Sequence, residues 1–304
     1  MRTEYYDFVA GLPDIGFEEG KLPLAPEDFL REAGTALDHD DMDLLRLFVL
    51  SDEIENLVNV LTGAGRPMKD GTLVSEQGWQ AYIGALKSEL DPAKAPPPEP
   101  FERFPAFIAE IAAAYLSGEE SGSPVQWELR FLRAFHEFAA ELPEGFVRDW
   151  FAFSRELTNI VVALTGRAAG RPYADFLIGT GEEADTLRSS QAPDFGLGKQ
   201  VPLVETLVRI MEQPDVVDRE RALDALRWKW IDGRIFFEYF TVDRVIGYFA
   251  RLRILDRWAR LDPDAGRAVF FETLSSLERS FTFPEDFSLD PRRRSNDERR
   301  RELR

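Results

Sequence analysis

Apolar residues along this chain recur mostly at steps of three and four, the spacing of a helix face, and rarely at steps of two. Between residues 44 and 61 the stripe runs Leu47, Leu50, Ile54, Leu57 and Leu61, which predicts a buried amphipathic helix. Residues 125–142 repeat the pattern through Trp127, Phe131, Phe135 and Phe138. Thr241, a residue type that favours the N-cap, precedes a long stripe of Val242, Val245, Phe249, Leu252, Leu255 and Ala259. Asp264 marks the expected start of one more helix, carrying Val269, Phe270 and Leu277. Strand-like alternation is confined to residues 5–10 and a short piece at 71–74, and neither is sustained. The pattern predicts an all-α fold with at most minor β content.

Breaks in the pattern divide the chain. Residues 91–100 (DPAKAPPPEP) hold five Pro in ten positions and read as a stiff linker, since Pro lacks the helical N–H and fixes φ. Residues 179–198 mix Gly, Ser, Pro and Asp without a period. The expected organisation is a helical module at 1–90, the linker at 91–100, a second module at 101–200, a third at 201–289 and a basic tail at 290–304.

The most specific signal is an internal repeat. Residues 47–63 read LFVLSDEIENLVNVLTG and residues 150–166 read WFAFSRELTNIVVALTG. At a constant offset of 103, eight of seventeen positions are identical, among them Phe48/Phe151, Glu53/Glu156, Asn56/Asn159 and Gly63/Gly166. Ordinary residue usage gives roughly one match over such a length, so the segment is duplicated. Each copy is soon followed by Gly-Arg-Pro, at Gly65 and at Gly170. Gly63 and Gly166 are expected to supply the left-handed residue that ends each helix. Asn is mildly unfavourable inside a helix because its amide competes for backbone partners. Its recurrence at one position suggests a shared hydrogen bond, such as one to a neighbouring helix end.

Composition narrows the function classes. The chain has 304 residues, of which 44% are hydrophobic, enough for a large core and too apolar for a disordered chain. With no Cys, it can have neither disulfides nor a thiol nucleophile. Neither a secretory leader nor a membrane span is legible; a cytoplasmic protein is expected. Net charge is −18, and it is uneven: the last fourteen residues hold seven Arg against three acids, leaving 30 basic against 52 acidic residues elsewhere. Such a body repels phosphate backbones, so nucleic-acid binding is not expected, whereas a basic protein partner suits it. Of the two His, His39 sits in an acidic turn and His136 lacks a second His at metal-ligand spacing, so no metal or cofactor is expected. The run Gly179-Thr180-Gly181 follows no strand of a βαβ unit. Nothing matches a phosphate-binding loop or a nucleophile elbow. The densest aromatic segment, residues 227–240 (RWKWIDGRIFFEYF), is either core or interface; Arg227, Trp228, Trp230 and Tyr239, with Arg257 and Trp258, are its candidate anchors.

Two stretches carry a family resemblance. The N-terminal YYDFVAGLPD (residues 5–14), followed by Lys21-Leu22-Pro23 and the acid-x-x-Asn helix, resembles a bacterial family encoded alongside the genes of V-type ATPases. The run from Arg227-Trp228 through Tyr248, Ile254-Leu255, Arg257-Trp258, Leu261-Asp262 and Gly266 fits it as well. That family resembles the central-stalk component of V-type ATPases known as C or d. This component is an all-helical funnel of three related modules that seats the central stalk on the membrane proteolipid ring and performs no catalysis. Glu53-x-x-Asn56 and Glu156-x-x-Asn159 are similar to its recurrent acid-x-x-Asn helices, although the usual acid there is Asp. The resemblance implies a funnel-like array, V-type ATPase stalk subunits and the proteolipid ring as partners, and a place on the inner face of the cell membrane. The competing expectations are a free-standing acidic adaptor for a basic partner and a helical enzyme with a deep polar pocket.

Overall fold

Capping side chains set where the long helices begin. The Asp38 carboxylate accepts the Asp41 N–H at 3.0 Å and opens a 24-residue helix. Ser123 and Gln126 exchange side-chain and backbone bonds in a reciprocal capping box, and Asp215 accepts the N–H groups of Val217 and Asp218. Each such cap satisfies donors that the first helical turn leaves without partners and contributes about 1 kcal/mol. In the computed structural model these sites start three of the helices. It describes residues 4–18, 22–89, 103–118, 122–198 and 201–261. The Pro-rich run at 91–100, the helix expected from Asp264 and the basic tail lie outside those residues.

The fold is all-α, with eleven α-helices and no strand among the described residues. In chain order they are α1 (Tyr6–Gly11), α2 (Pro26–Ala36), α3 (His39–Thr62), α4 (Glu76–Glu89), α5 (Ala106–Ser117), α6 (Pro124–Ala140) and α7 (Phe146–Ala168). A 3-10 turn (Ala174–Phe176) follows, then α8 (Glu182–Ser189), α9 (Pro202–Met211), α10 (Val216–Ile235) and α11 (Val242–Arg260). Residues Met1–Asp256 form one compact unit; of a second, Arg257–Arg304, only residues 257–261 are described. None of the helices among the described residues is long and apolar enough to cross a membrane.

Neither of the two stretches that alternate like strands forms one. Residues 6–10 are helical, in α1, which brings Phe8 against Phe29 and Tyr6 against Phe240. Residues 71–74 are irregular, and the N–H groups of Leu73 and Val74 go to the Glu53 carboxylate rather than to a neighbouring strand. A backbone donor with a side-chain partner needs no ladder.

The duplicated helices are α3 and α7, and they pack against each other. Phe48 and Phe151, equivalent positions of the repeat, meet with ring centroids 6.3 Å apart. Around this pair gather Phe146 and Phe249, and Phe29 of α2 stacks on Phe249 at 5.0 Å. Phe29, Phe146 and Phe249 are fully buried, each burial being worth roughly 1.5–3 kcal/mol. A second cluster, built on Phe153, Leu157 and Ile160 of α7, is covered by α8, α9 and α10. The N-terminal segment is stitched across the unit: Tyr5 N–H donates to the Phe240 carbonyl at 2.7 Å, Tyr5 hydroxyl to Asp41 at 2.6 Å, and Tyr248 hydroxyl to the Pro13 carbonyl at 2.9 Å.

The two copies end differently. Gly63 takes the expected left-handed conformation, φ 64°, and the Ala64 N–H closes back on the Asn59 carbonyl. Gly166 does not. Helix α7 runs through it to Ala168, and the left-handed residue is Gly170, φ 61°, with the Arg171 N–H on the Gly166 carbonyl. In the register of the repeat the second helix therefore ends three residues later, just under one turn. Gly166 is kept small by packing instead: a Cβ there would lie 2.6 Å from Tyr173 Cβ. Replacing a helical Gly by Ala ordinarily stabilises by about 1 kcal/mol. Gly166→Ala should reverse that sign and destabilise by about 1–3 kcal/mol through overpacking, read as a lower urea midpoint at unchanged m-value.

Candidate functional site

Each duplicated Asn uses both ends of its amide on a single loop residue. Asn56 Oδ1 accepts the Lys69 N–H at 2.7 Å while its Nδ2 donates to the Lys69 carbonyl at 3.1 Å. Asn159 treats Ile178 the same way, both bonds at 2.8 Å. The expected shared hydrogen bond is present, and its partner is a loop rather than a helix end. Asn59, which the repeat does not single out because its counterpart is Val162, clasps Arg66 in the same two-bond geometry at 2.9 and 2.6 Å. The signal available for it was spacing: Asn56 and Asn59 lie three apart on one helix face, and Arg66 belongs to the Gly-Arg-Pro turn.

The repeated acid has diverged. Glu53 is completely buried; its carboxylate accepts the N–H of Leu73 and, at 3.2 Å, that of Val74, and the Trp79 indole N–H favours its charge further. Burial outweighs these bonds and pushes its carboxyl up to about 7. Glu156 is half-buried and receives no hydrogen bond from any described residue. Burial raises its pKa first and the Glu183 charge adds to that, with Arg155 opposing. Of the histidines, His39 sets its ring against the Arg103 guanidinium at 2.6 Å, and His136 is buried and held down to about 4 by burial and then by Arg155. Among the described residues no group of three His, Cys, Asp or Glu could hold a metal ion.

Glu156 opens onto a cleft of about 740 Å³, within the range of ligand and side-chain pockets. Its walls include Phe153, Leu187 and Trp230, and its mouth carries Glu182 and Glu183 at the start of α8. The Gly179-Thr180-Gly181 run, which no βαβ unit frames as a dinucleotide loop, forms part of this mouth, with Gly179 at φ 84° and Gly181 at φ 124°. Asp149 and Arg234 line it too and pair at 2.9 Å.

The aromatic segment at 227–240 is split by the fold. Trp228 is buried between Phe17 and the Arg251 guanidinium, and Arg227 pairs with buried Asp224 at 2.6 Å. Trp230 stacks on Phe153 at 4.9 Å and faces the cleft. Past the end of α10 the character changes: Phe236, Phe237 and Tyr239 are 67%, 79% and 66% exposed, and Tyr6 of α1, tilted against Phe240, is 52% exposed. Arg257 lies over the Trp258 ring at 5.9 Å near the end of α11. The exposed Phe pair was hidden in sequence because the same residue types build the core a few positions earlier.

The family model described as "Protein of unknown function (DUF2764)" matches residues 1–281 of the chain. The chain belongs to this family. The comparison with curated proteins finds no match. The family match spans both copies of the repeat, the cleft and the aromatic edge.

Three of these side chains bear on stability. Asn159→Ala leaves a buried N–H and a buried carbonyl of Ile178 without partners, which should cost about 2–4 kcal/mol in a urea titration. Glu53 binds its proton more tightly in the folded than in the unfolded chain. The stability it carries, about 3 kcal/mol at this shift, is therefore fully present below its ordinary value of 4.5 and lost as pH rises through about 7. His136 acts in the opposite sense, losing stability as pH falls from 6.5 toward 4. The wild-type-minus-Glu53→Gln difference in stability isolates the carboxyl, and it should fall between pH 5 and 8.

Proposed function

We propose that this chain is a non-catalytic coupling subunit of a V-type rotary ATPase or ATP synthase. In this reading it joins the central stalk to the proteolipid ring, on the inner face of the cell membrane. The observation that carries it is the exposed aromatic edge formed by Phe236, Phe237, Tyr239 and Tyr6. Aromatic side chains left in water on an otherwise buried helical scaffold favour a protein interface. The paired helices α3 and α7 support the same reading, since related helical modules that clasp their own loops make a stiff body able to transmit torque. The resemblance of the terminal stretches to a family encoded with V-type ATPase genes supports the rotary assignment and, under it, a funnel-like arrangement of modules. No catalytic step, cofactor or nucleic acid is assigned to it; contact with the membrane is indirect, through the ring.

A second reading, a free-standing acidic adaptor for a basic partner, draws on the charge balance of 52 acids against 30 bases before the last fourteen residues. The two differ in what the chain travels with. The rotary ATPase purified from the native cell should contain this chain in fixed stoichiometry. Phe236→Ala with Phe237→Ala should reduce co-purification at least tenfold, with folding stability changed by less than about 0.5 kcal/mol. A complete, active complex that lacks the chain, with the chain recovered as a free monomer, favours the adaptor.

A further inference from the structure

The repeat places a carboxylate at the same helical position twice and gives the two copies opposite surroundings. Glu53 is sealed by the N–H groups of a loop that returns close behind the helix: Asn56 clasps a residue 13 positions on. Asn159 clasps one 19 positions on. The longer loop then turns at Gly179 and Gly181 into α8, and no backbone donor among the described residues reaches Glu156. The second copy therefore keeps an open cleft where the first is closed.

Charge in that cleft is unbalanced. Asp149 and Arg234 neutralise each other at 2.9 Å. Among the described lining residues Arg155 then faces Glu156, Glu182 and Glu183 at the mouth, an excess of two negative charges, one of them half-buried. Burial raises the Glu156 pKa first and the Glu183 charge adds to it, with Arg155 opposing. Below the mouth the walls are apolar and aromatic, through Phe153, Leu187 and Trp230. A cationic head on an aliphatic stem fits this gradient, with the stem along the walls and the charge at the rim.

We propose that the cleft docks a segment of a partner protein in which an Arg or Lys side chain sits between apolar residues. The cationic group meets Glu156 and Glu183, and the apolar neighbours lie on Phe153, Leu187 and Trp230. The volume and the opening along residues 179–183 suit a segment better than a lone side chain. The inference rests on reading the chain as a connector between proteins and not on which complex it serves.

The test uses the full chain, ¹⁵N-labelled, with acetyl-Ser-Leu-Arg-Leu-Ser-amide as probe and the Trp230 indole N–H resonance, assigned from Trp230→Phe, as the local readout. The expected result is a saturating shift of Trp230. Affinity should fall at least tenfold when Arg is replaced by citrulline, which keeps the shape and removes the charge. Glu156→Gln with Glu183→Gln should lose at least tenfold, whereas Glu137→Gln with Glu212→Gln, the same charge change outside the cleft, should stay within twofold. Equal binding of the citrulline peptide, equal loss in both double variants, or no Trp230 shift at millimolar peptide overturns the proposal. Agmatine binding as tightly as the peptide overturns it too, by showing that a free amine suffices. Absence of the chain from the rotary complex would sink that assignment and leave this result standing; a failed peptide titration would do the reverse.

Discussion

The structure depends on a side-chain amide that behaves as backbone. Asn56, Asn59 and Asn159 each present one acceptor and one donor to the N–H and C=O of a single loop residue. A loop packed against a helix has no ladder or helical turn to satisfy its peptide groups, and leaving them unpaired costs about 1–3 kcal/mol each. An amide on the helix meets both needs at once. The intrinsic penalty of Asn in a helix, a few tenths of a kcal/mol, is small beside that. The position could therefore be retained through duplication while the loops around it changed length.

Loop length is what separates the surroundings of the two carboxylates. With a clasp 13 residues on, the first loop also delivers two N–H groups to Glu53, and the acid becomes a buried internal cap. With a clasp 19 residues on, the second loop holds Ile178 in place but leaves Glu156 at the wall of a cleft. One ancestral helix thus carries a sealed carboxylate and an open one. The aromatic edge arises by a similar change of context: a run rich in Phe, Trp and Tyr is core while it belongs to α10 and surface once the helix ends.

Helix periodicity made the all-α class and the courses of α3, α6 and α11 legible, because burial of a stripe depends only on spacing. The duplication was legible for the same reason, as was the polar role of Asn56 and Asn159. What lay beyond the sequence was set by loops. Gly166 has the sequence context of Gly63, yet α7 continues through it and Tyr173 packs on it, a contact visible only in three dimensions. Residues 5–10 alternate weakly, and a partner for a strand would have had to exist elsewhere in the fold. The cleft was illegible because its walls come from α7, α8, α10 and the loops between, and no local motif joins them.

The central claim is that an Asn side chain holds each loop as firmly as helical backbone would. Native-state amide hydrogen exchange at Ile178 measures this directly. If the claim holds, the Ile178 N–H exchanges as slowly as the buried amides of α7, roughly a thousandfold or more below an open-loop rate. An Ile178 amide exchanging at the rate of an unstructured peptide, with α7 still protected, would contradict it.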